Sequence, residues 1–254
     1  MSDSVIEVQG LTMAYGPKLI QKDISFSVQR GEVLVLCGGS GCGKSTLLRH
    51  LIGLQAPAAG RVSYGGAGLD DGDEAAQSAM RQRFGVMFQQ GALFSSMSVG
   101  ENVALPLQEF TTLPQDAIED IARCKLALVG LDGTADLEPS ALSGGMRKRA
   151  AIARAMALDP SILFLDEPSA GLDPVASARL DELILQLRDS LGTTVVMVTH
   201  ELPSIFAVAD RCVYLDAVSK TMIALGDPAT LRDSGPAPVR EFLTRGAAAS
   251  HATA

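Results

Sequence analysis

Residues 32–54 read EVLVLCGGSGCGKSTLLRHLIGL, and no other stretch of the chain restricts its fold so tightly. EVLVLC is a continuous apolar run, the pattern of a strand buried on both faces, and LLRHLIGL that follows reads as a helix. Between them lies Gly38-x-x-x-x-Gly43-Lys44-Ser45. Its glycines let the backbone curl until several N–H groups point inward, and the helix beginning near Lys44 adds its positive end. A strand, a loop of this spacing and a helix, in that order, make a phosphate cradle. Lys44 then reaches the β/γ-phosphates and the Ser45 hydroxyl is placed to ligate Mg²⁺.

The rest of the chain agrees with an α/β fold. VIEVQGLTMAY and DISFSVQ alternate apolar and polar residues, as half-exposed strands do. RFGVMFQ, ending at residue 89, SILFLDE and GTTVVMVTH read as further strands, the last two as buried runs, with the amphipathic helix VASARLDELILQLRDSL between them. Strands alternating with helices predict a parallel, doubly wound sheet. From about 95 to 158 the pattern is helical, which predicts an inserted subdomain. YGGAGLDDGDEAAQ reads as a surface loop, its acids lacking a calcium loop's spacing. The tail from Gly246, GAAASHATA, is small and polar enough to read as disordered.

Composition narrows the function classes. With 254 residues, 47% of them hydrophobic, the chain has ample core for one large domain or two small ones. A net charge of -8 argues against broad adhesion to nucleic acid. The run Arg147, Lys148, Arg149 is short and reads as a solvated helix face. Cys37, Cys42, Cys124 and Cys212 form no metal-ligand pair and no Cys-x-x-Cys, as expected of a reduced cytosolic protein. The start, MSDSVIEVQG, lacks a basic segment followed by an apolar one, so no secretory leader is expected. The apolar runs fall short of the roughly 20 residues that span a bilayer.

ILFLDEP adds two acids, Asp166 and Glu167, at the end of a buried strand, the edge of an α/β sheet where ligands bind. Asp166 is placed to hold Mg²⁺, and Glu167 to orient and polarise water attacking a phosphoryl group. A second glycine-bearing helix start, Ser143-Gly144-Gly145, lies about a hundred residues after the first.

With these residues the chain resembles the nucleotide-binding subunit of an ATP-binding cassette transporter, with LSGGM, residues 142–146, in the place of the family's signature sequence. The resemblance covers nearly the whole chain. It implies a P-loop NTPase fold, with a RecA-like core, an antiparallel β-subdomain and an inserted α-helical subdomain. The expected boundaries are a single cassette over 1–245, with core 1–93 and 159–235, helical subdomain about 94–158, and a C-terminal tail from 236 to 254. ATP and Mg²⁺ are the implied cofactors.

Residue by residue, the resemblance assigns nucleotide contacts to Gly38, Gly39, Ser40, Gly41, Cys42, Gly43, Lys44, Ser45 and Thr46, and adenine stacking to Tyr15 of MAYG. Cys42 carries no catalytic role, though its modification is expected to hinder ATP binding. Metal contacts fall to Ser45, Asp166 and Gln89, the last chosen over Gln90 because it directly follows Phe88. Catalytic roles fall to Glu167, Gln89 and His200, the last ending the strand VVMVTH as a γ-phosphate contact. The SAGLD loop, 169–173, matches the segment that communicates across a dimer. Ser143, Gly144 and Gly145 are expected to bind the γ-phosphate held by a second copy packed head-to-tail, so that a complete site needs two chains.

Most cassettes carry glutamine where this chain has Met146, and a thioether is at best a weak acceptor. LSGGMRKRAAIARA, MFQQGALFSSMSVGENVALPL and PVREFL resemble cassettes of mammalian-cell-entry-type lipid transporters, including the bacterial system that maintains outer-membrane lipid asymmetry. That likeness implies phospholipid transport from the cytoplasmic face of the inner membrane. The implied partners are a permease docking near residues 89–110, a small cytoplasmic accessory protein and a periplasmic lipid-binding protein. Nucleic acid is not expected as a partner. The alternative is a cassette for polar amino acids or for lipoprotein release, which would share every ATP-handling residue.

Overall fold

A computed structural model describes residues 4–69, 74–89 and 91–249. The elements run β1 Ser4–Tyr15, β2 Lys18–Gln29, β3 Val33–Gly38, α1 Lys44–Leu51, β4 Ala59–Tyr64, β5 Ala67–Gly68, α2 Glu74–Arg81, β6 Phe84–Met87, α3 Val99–Phe110 and α4 Gln115–Leu128. After a short 3₁₀ turn come α5 Gly144–Ala155, β7 Ile162–Asp166, α6 Pro174–Leu191, β8 Thr194–Val198, α7 Leu202–Val208, β9 Arg211–Asp216, β10 Thr221–Gly226, α8 Pro228–Ser234 and α9 Ala237–Ala249.

Two sheets organise these elements. The larger has the order β10-β9-β3-β8-β7-β6, with β10 antiparallel on an otherwise parallel sheet. The smaller, β2-β1-β4-β5, is antiparallel. The uninterrupted apolar runs in β3, β7 and β8 are explained by their burial from end to end. Successive side chains of a strand face opposite sides. Val33, Val35 and Cys37 therefore join the core shared with α3–α7, while Leu34 and Leu36 join the core beneath the antiparallel sheet and α1. Leu163 and Leu165 divide from Phe164 in the same way.

Four sequence expectations differ from the structure. The segment read as a loop through Gln77 turns helical at Glu74, where EAAQSAMR supplies good helix formers; residues 70–73 lie outside the described residues. The strand read as ending at 89 stops at Met87. The segment from 236, expected as a tail, forms α9, whose Val239 and Leu243 are buried and whose Phe242 packs edge-on against Tyr214 of β9 at 5.4 Å between centroids. Helix α9 also takes in residues 246–249 of the stretch read as disordered; the remainder, 250–254, lies outside the described residues.

The helical block between β6 and β7 has defined starts. Ser98 caps α3 in a reciprocal box, its side chain accepting from the Glu101 N–H while the Glu101 carboxylate accepts from the Ser98 N–H. Asn102, fully buried, fixes the preceding loop by accepting from the Phe94 N–H and donating to the carbonyls of Phe94 and Ser98. Among the described residues no helix is long and apolar enough to cross a membrane.

Asp181 of α6 is a charge the fold tolerates at a cost. It is 6% exposed, one carboxylate oxygen accepts from the Ser204 hydroxyl of α7 at 2.9 Å, and the other has no partner. Burial raises its pKa from 3.8 to about 6, and the nearby Glu201 adds to the rise. A raised folded-state pKa means the fold disfavours the ionised form. Stability is therefore greatest below about pH 4 for this group and falls as pH rises towards 6 and beyond, by up to about 3 kcal/mol. Asp181→Asn should raise the denaturation midpoint at pH 8 and leave it nearly unchanged at pH 4, as read by urea unfolding at both pH values.

Candidate active site

The turn after β3 is shaped by contacts that only glycine permits. At Gly38, with φ of 140°, a Cβ would fall against the Leu215 carbonyl oxygen and lie 2.9 Å from Cys42 Sγ. At Gly43, with φ of 102°, it would lie 2.8 Å from Ile20. Gly43 is also the N-cap of α1 and brings no side chain to it, so the N–H groups of the first turn open onto the loop. Lys44 folds back and donates from Nζ to the carbonyls of Gly38 at 2.9 Å and Gly39 at 3.1 Å. An ammonium steadied on two carbonyls, beside a free helix N-terminus, is a built anion site.

Across from this loop the end of β7 delivers the acids. Ser45 Oγ donates to Asp166 Oδ1 at 3.1 Å, tying α1 to β7. Burial raises the Asp166 pKa against the opposing pull of the Ser45 hydrogen bond and of nearby cations. Glu167 follows in a left-handed backbone conformation with φ of 50°, which a non-glycine residue adopts only when its surroundings hold it there. Its N–H donates to the Val198 carbonyl at 2.9 Å. His200, just past β8, has Nδ1 2.8 Å from Glu167 Oε1, while Oε2 is buried without a protein partner. The pairing sets His200 in the tautomer that donates from Nδ1 to the carboxylate.

One cleft of about 710 Å³ collects this chemistry. Gly38, Gly39, Ser40, Gly41, Gly43, Lys44, Ser45 and Thr46 line one side, and Gln89, Glu167 and His200 face them. Asp166 stands behind Ser45, with little exposure. Three residues that sequence reasoning missed, Ile20, Leu202 and Phe242, supply apolar wall. Phe242 had no local signal, since only the docking of α9 brings it there. Cys42 does not line the cleft; its side chain is buried in the core beneath the antiparallel sheet. Tyr15 also lies off the cleft wall, at the end of β1, and is 45% exposed. Gln90, the neighbour of Gln89, lies outside the described residues.

Ser143, Gly144 and Gly145 open elsewhere. They line a separate cavity of about 310 Å³ together with Met146, Gly171 and Asp173, and it shares no lining residue with the first. Ser143 caps α5, its hydroxyl accepting from the Met146 N–H at 3.3 Å. Cβ atoms at Gly144 and Gly145 would come no closer than 3.6 Å to Leu172 and Ala176, so the helix start is open. The Met146 side chain packs partly buried against the larger core instead of offering a polar group.

The basic run after Met146 is only in part the solvated face expected of it: Arg147 is exposed, Arg149 half-buried and Lys148 buried. Lys148 is only 9% exposed, and its ammonium donates to the Gln89 carbonyl and, at 3.3 Å, to the Glu167 carbonyl. Burial lowers its pKa, and the charges of Glu167 and Asp166 partly restore it. Arg149 donates to the carbonyls of Val129 and Gly130 at 3.0 Å, just past the end of α4. Arg147 donates to the Leu142 carbonyl at 2.6 Å. Lys148 and Arg149 meet carbonyls that tertiary packing brings near, partners that charge counting along the sequence does not reveal, whereas Arg147 bonds back to the loop just before its own helix.

The donor set suits Mg²⁺. Ser45 and Asp166 offer adjacent oxygens, Gln89 lies on the same cleft, and Glu167 has an unpartnered buried oxygen. Mg²⁺ commonly takes one or two protein ligands and completes its shell with phosphate and water. Among the described residues no group of three or more His, Cys, Asp or Glu is placed to hold a metal ion.

A parallel sheet whose strand ends gather a phosphate-loop motif, an Asp-Glu pair and a histidine, with a second open helix start facing elsewhere, defines a P-loop nucleotide-binding cassette. The chain belongs to the ABC transporter family, whose sequence profile matches residues 21–170. It is 42% identical over 238 residues to the probable ribonucleotide transport ATP-binding protein mkl of Mycobacterium bovis, covering 94% of this chain and 66% of that protein. It is 38% identical over 240 residues to the intermembrane phospholipid transport system ATP-binding protein MlaF of Escherichia coli, covering 94% and 88%. Among solved structures, cbiO1 from Clostridium perfringens, part of the ABC transporter complex cbiONQ, superposes with a TM-score of 0.84 at 28% identity, covering 99% of both chains. The ATP-binding cassette MJ0796, solved as a dimer in a post-hydrolysis state bound to ADP and Pi, gives 0.78 at 29% identity, covering 87% of this chain and 98% of that one.

Removing the ammonium should remove nucleotide binding itself. Lys44→Ala is expected to weaken ATP affinity by about 30- to 150-fold, since an anion contact of this kind contributes roughly 2–3 kcal/mol. Isothermal titration with Mg-ATP reads this directly, with an unchanged melting temperature showing that the fold is intact.

Proposed function

We propose that the chain is the ATP-hydrolysing subunit of a membrane transporter that moves phospholipids. The observation that carries the ATPase reading is the separation of the two phosphate-binding helix starts. Lys44, Ser45, Gln89, Glu167 and His200 share one cleft, and Ser143–Gly145 line another. A nucleotide held in the first cleft lacks the second site's hydroxyl and amides unless another copy supplies them head-to-tail. The dimeric state of MJ0796 supports this arrangement.

In that reading the loop amides and Lys44 bind the phosphates, and Tyr15 stacks on adenine. Mg²⁺, when bound between Ser45, Asp166 and Gln89, neutralises charge on the phosphate oxygens. Glu167 is the general base: its carboxylate, aimed into the cleft from a fixed backbone, orients water and accepts its proton. His200 steadies that carboxylate through Nδ1 and turns its other edge to the γ-phosphate. Ser143, Gly144 and Gly145 of the second copy close over the same phosphate. ATP thus joins two copies, and hydrolysis separates them. Residues 94–158 act as the helical subdomain that carries the second phosphate site.

The permease is read onto a groove of about 650 Å³ between β6 and α3, where Phe88, Phe94, Leu105, Pro106 and Phe110 present apolar surface beside Glu109 and Arg154. A chain docked there from above would sit peripherally on the cytoplasmic face of the inner membrane. A small cytoplasmic accessory protein and a periplasmic lipid-binding protein complete the proposed assembly. Phospholipid is favoured as cargo because MlaF is matched over nearly all of both chains, whereas this chain spans 66% of the mycobacterial relative named for ribonucleotides.

Two measurements test this. Glu167→Gln should abolish phosphate release, at least about 100-fold, while retaining ATP binding and producing a dimer on ATP addition by light scattering. Normal turnover in that variant would assign the base elsewhere. Purification from the native membrane should then bring down a permease with phospholipid; a permease that moves labelled ribonucleotide and not labelled phospholipid in vesicles would overturn the cargo.

A further inference from the structure

Helix α5 reaches the catalytic cleft from behind and holds it by its backbone. Lys148, in the second turn of α5, sends one ammonium to two carbonyls, those of Gln89 and Glu167. Six residues further along, Arg154 donates to the carbonyls of Gly91 at 2.8 Å and Ala92 at 2.7 Å. One helix therefore secures the segment leaving β6 at three points and the turn leaving β7 at one. That turn is the strained one: Glu167 stands at φ of 50°, its N–H fixed by the Val198 carbonyl and its own carbonyl met by Lys148.

We infer that Lys148 is a positioning residue for hydrolysis, tying the water-activating Glu167 and the cleft residue Gln89 to the helix that begins at Ser143. The inference rests on the ATPase reading above and adds to it a link inside one chain. Ser143 and Lys148 lie on the same rigid helix, five residues apart, so a shift of α5 that reseats the second phosphate site also moves the carbonyls of Gln89 and Glu167. The base is thus placed for attack only when α5 is seated. An ammonium suits the task because its three donors radiate from one compact point and reach two carbonyls at once. A side chain without donors would take this donor from the part-buried Gln89 carbonyl and leave the buried Glu167 carbonyl with the Ala170 N–H at 3.3 Å alone, loosening the hold on the Glu167 turn in its left-handed conformation.

The experiment compares the full chain with Lys148→Met and Lys148→Arg in Mg-ATP turnover, ATP titration and thermal melting. Lys148→Met should lower kcat by about 20- to 100-fold while KM and ATP affinity change less than about threefold, and Lys148→Arg should recover most of the loss. A kcat for Lys148→Met within about twofold of wild type overturns the inference. So does a joint loss of ATP affinity and melting temperature that Lys148→Arg fails to restore, which would make Lys148 structural. A wild-type chain that binds ATP without hydrolysing it would instead sink the ATPase reading itself.

Discussion

Everything at the catalytic cleft depends on the register of four adjacent parallel strands. Leu36 of β3 pairs with Val198 of β8, Asp166 of β7 pairs with the same Val198, and Met87 of β6 pairs with Leu165. The chain leaves these strands at one edge, so the phosphate loop, Asp166-Glu167, His200 and Gln89 emerge side by side. A slip of one residue in β3 would exchange Val33, Val35 and Cys37 for Leu34 and Leu36 between the two cores and misfit both. Burial of β3, β7 and β8 on both sides forbids that slip, and the precision of the site comes from hydrophobic packing well below it.

Much of this was legible in the sequence because its signals are local. The spacing from Gly38 to Ser45 encodes a backbone shape, and runs such as EVLVLC and ILFLDE encode strands without an exposed face. What escaped reading was contact between segments distant in sequence. Lys148 sits among cations and looks solvated until α5 packs behind β6 and β7 and its ammonium finds carbonyls 59 and 19 residues away. Phe242 and the burial of Val239 escaped for the same reason: α9 gains its place only by docking on β9. The helix from Glu74 was hidden by the turn-rich residues before it.

The two glycine-bearing helix starts also differ in how they are built. Gly43 leaves α1 uncapped, so that its amides are available to a ligand in the same chain, whereas Ser143 satisfies one amide of α5 with its own hydroxyl and leaves Gly144 and Gly145 open. The first site is a closed loop with a charged side chain, and the second is a bare helix end. Met146 keeps the second site packed from below through its contact with the larger core.

The strand order has a consequence for how the chain comes to be made. β3, the strand from which the phosphate loop springs, finds its two neighbours in β8 and β9, near the other end of the chain. A nascent β3 therefore waits, apolar and unpaired, while about 150 further residues are added, which at bacterial or eukaryotic synthesis rates takes roughly ten to thirty seconds. The antiparallel pair β1–β2, joined by a tight turn, can form at once and offers Leu34 and Leu36 a partial shelter on one side. On the growing chain, that hairpin serves as the strand's first cover, long before it is part of a finished enzyme.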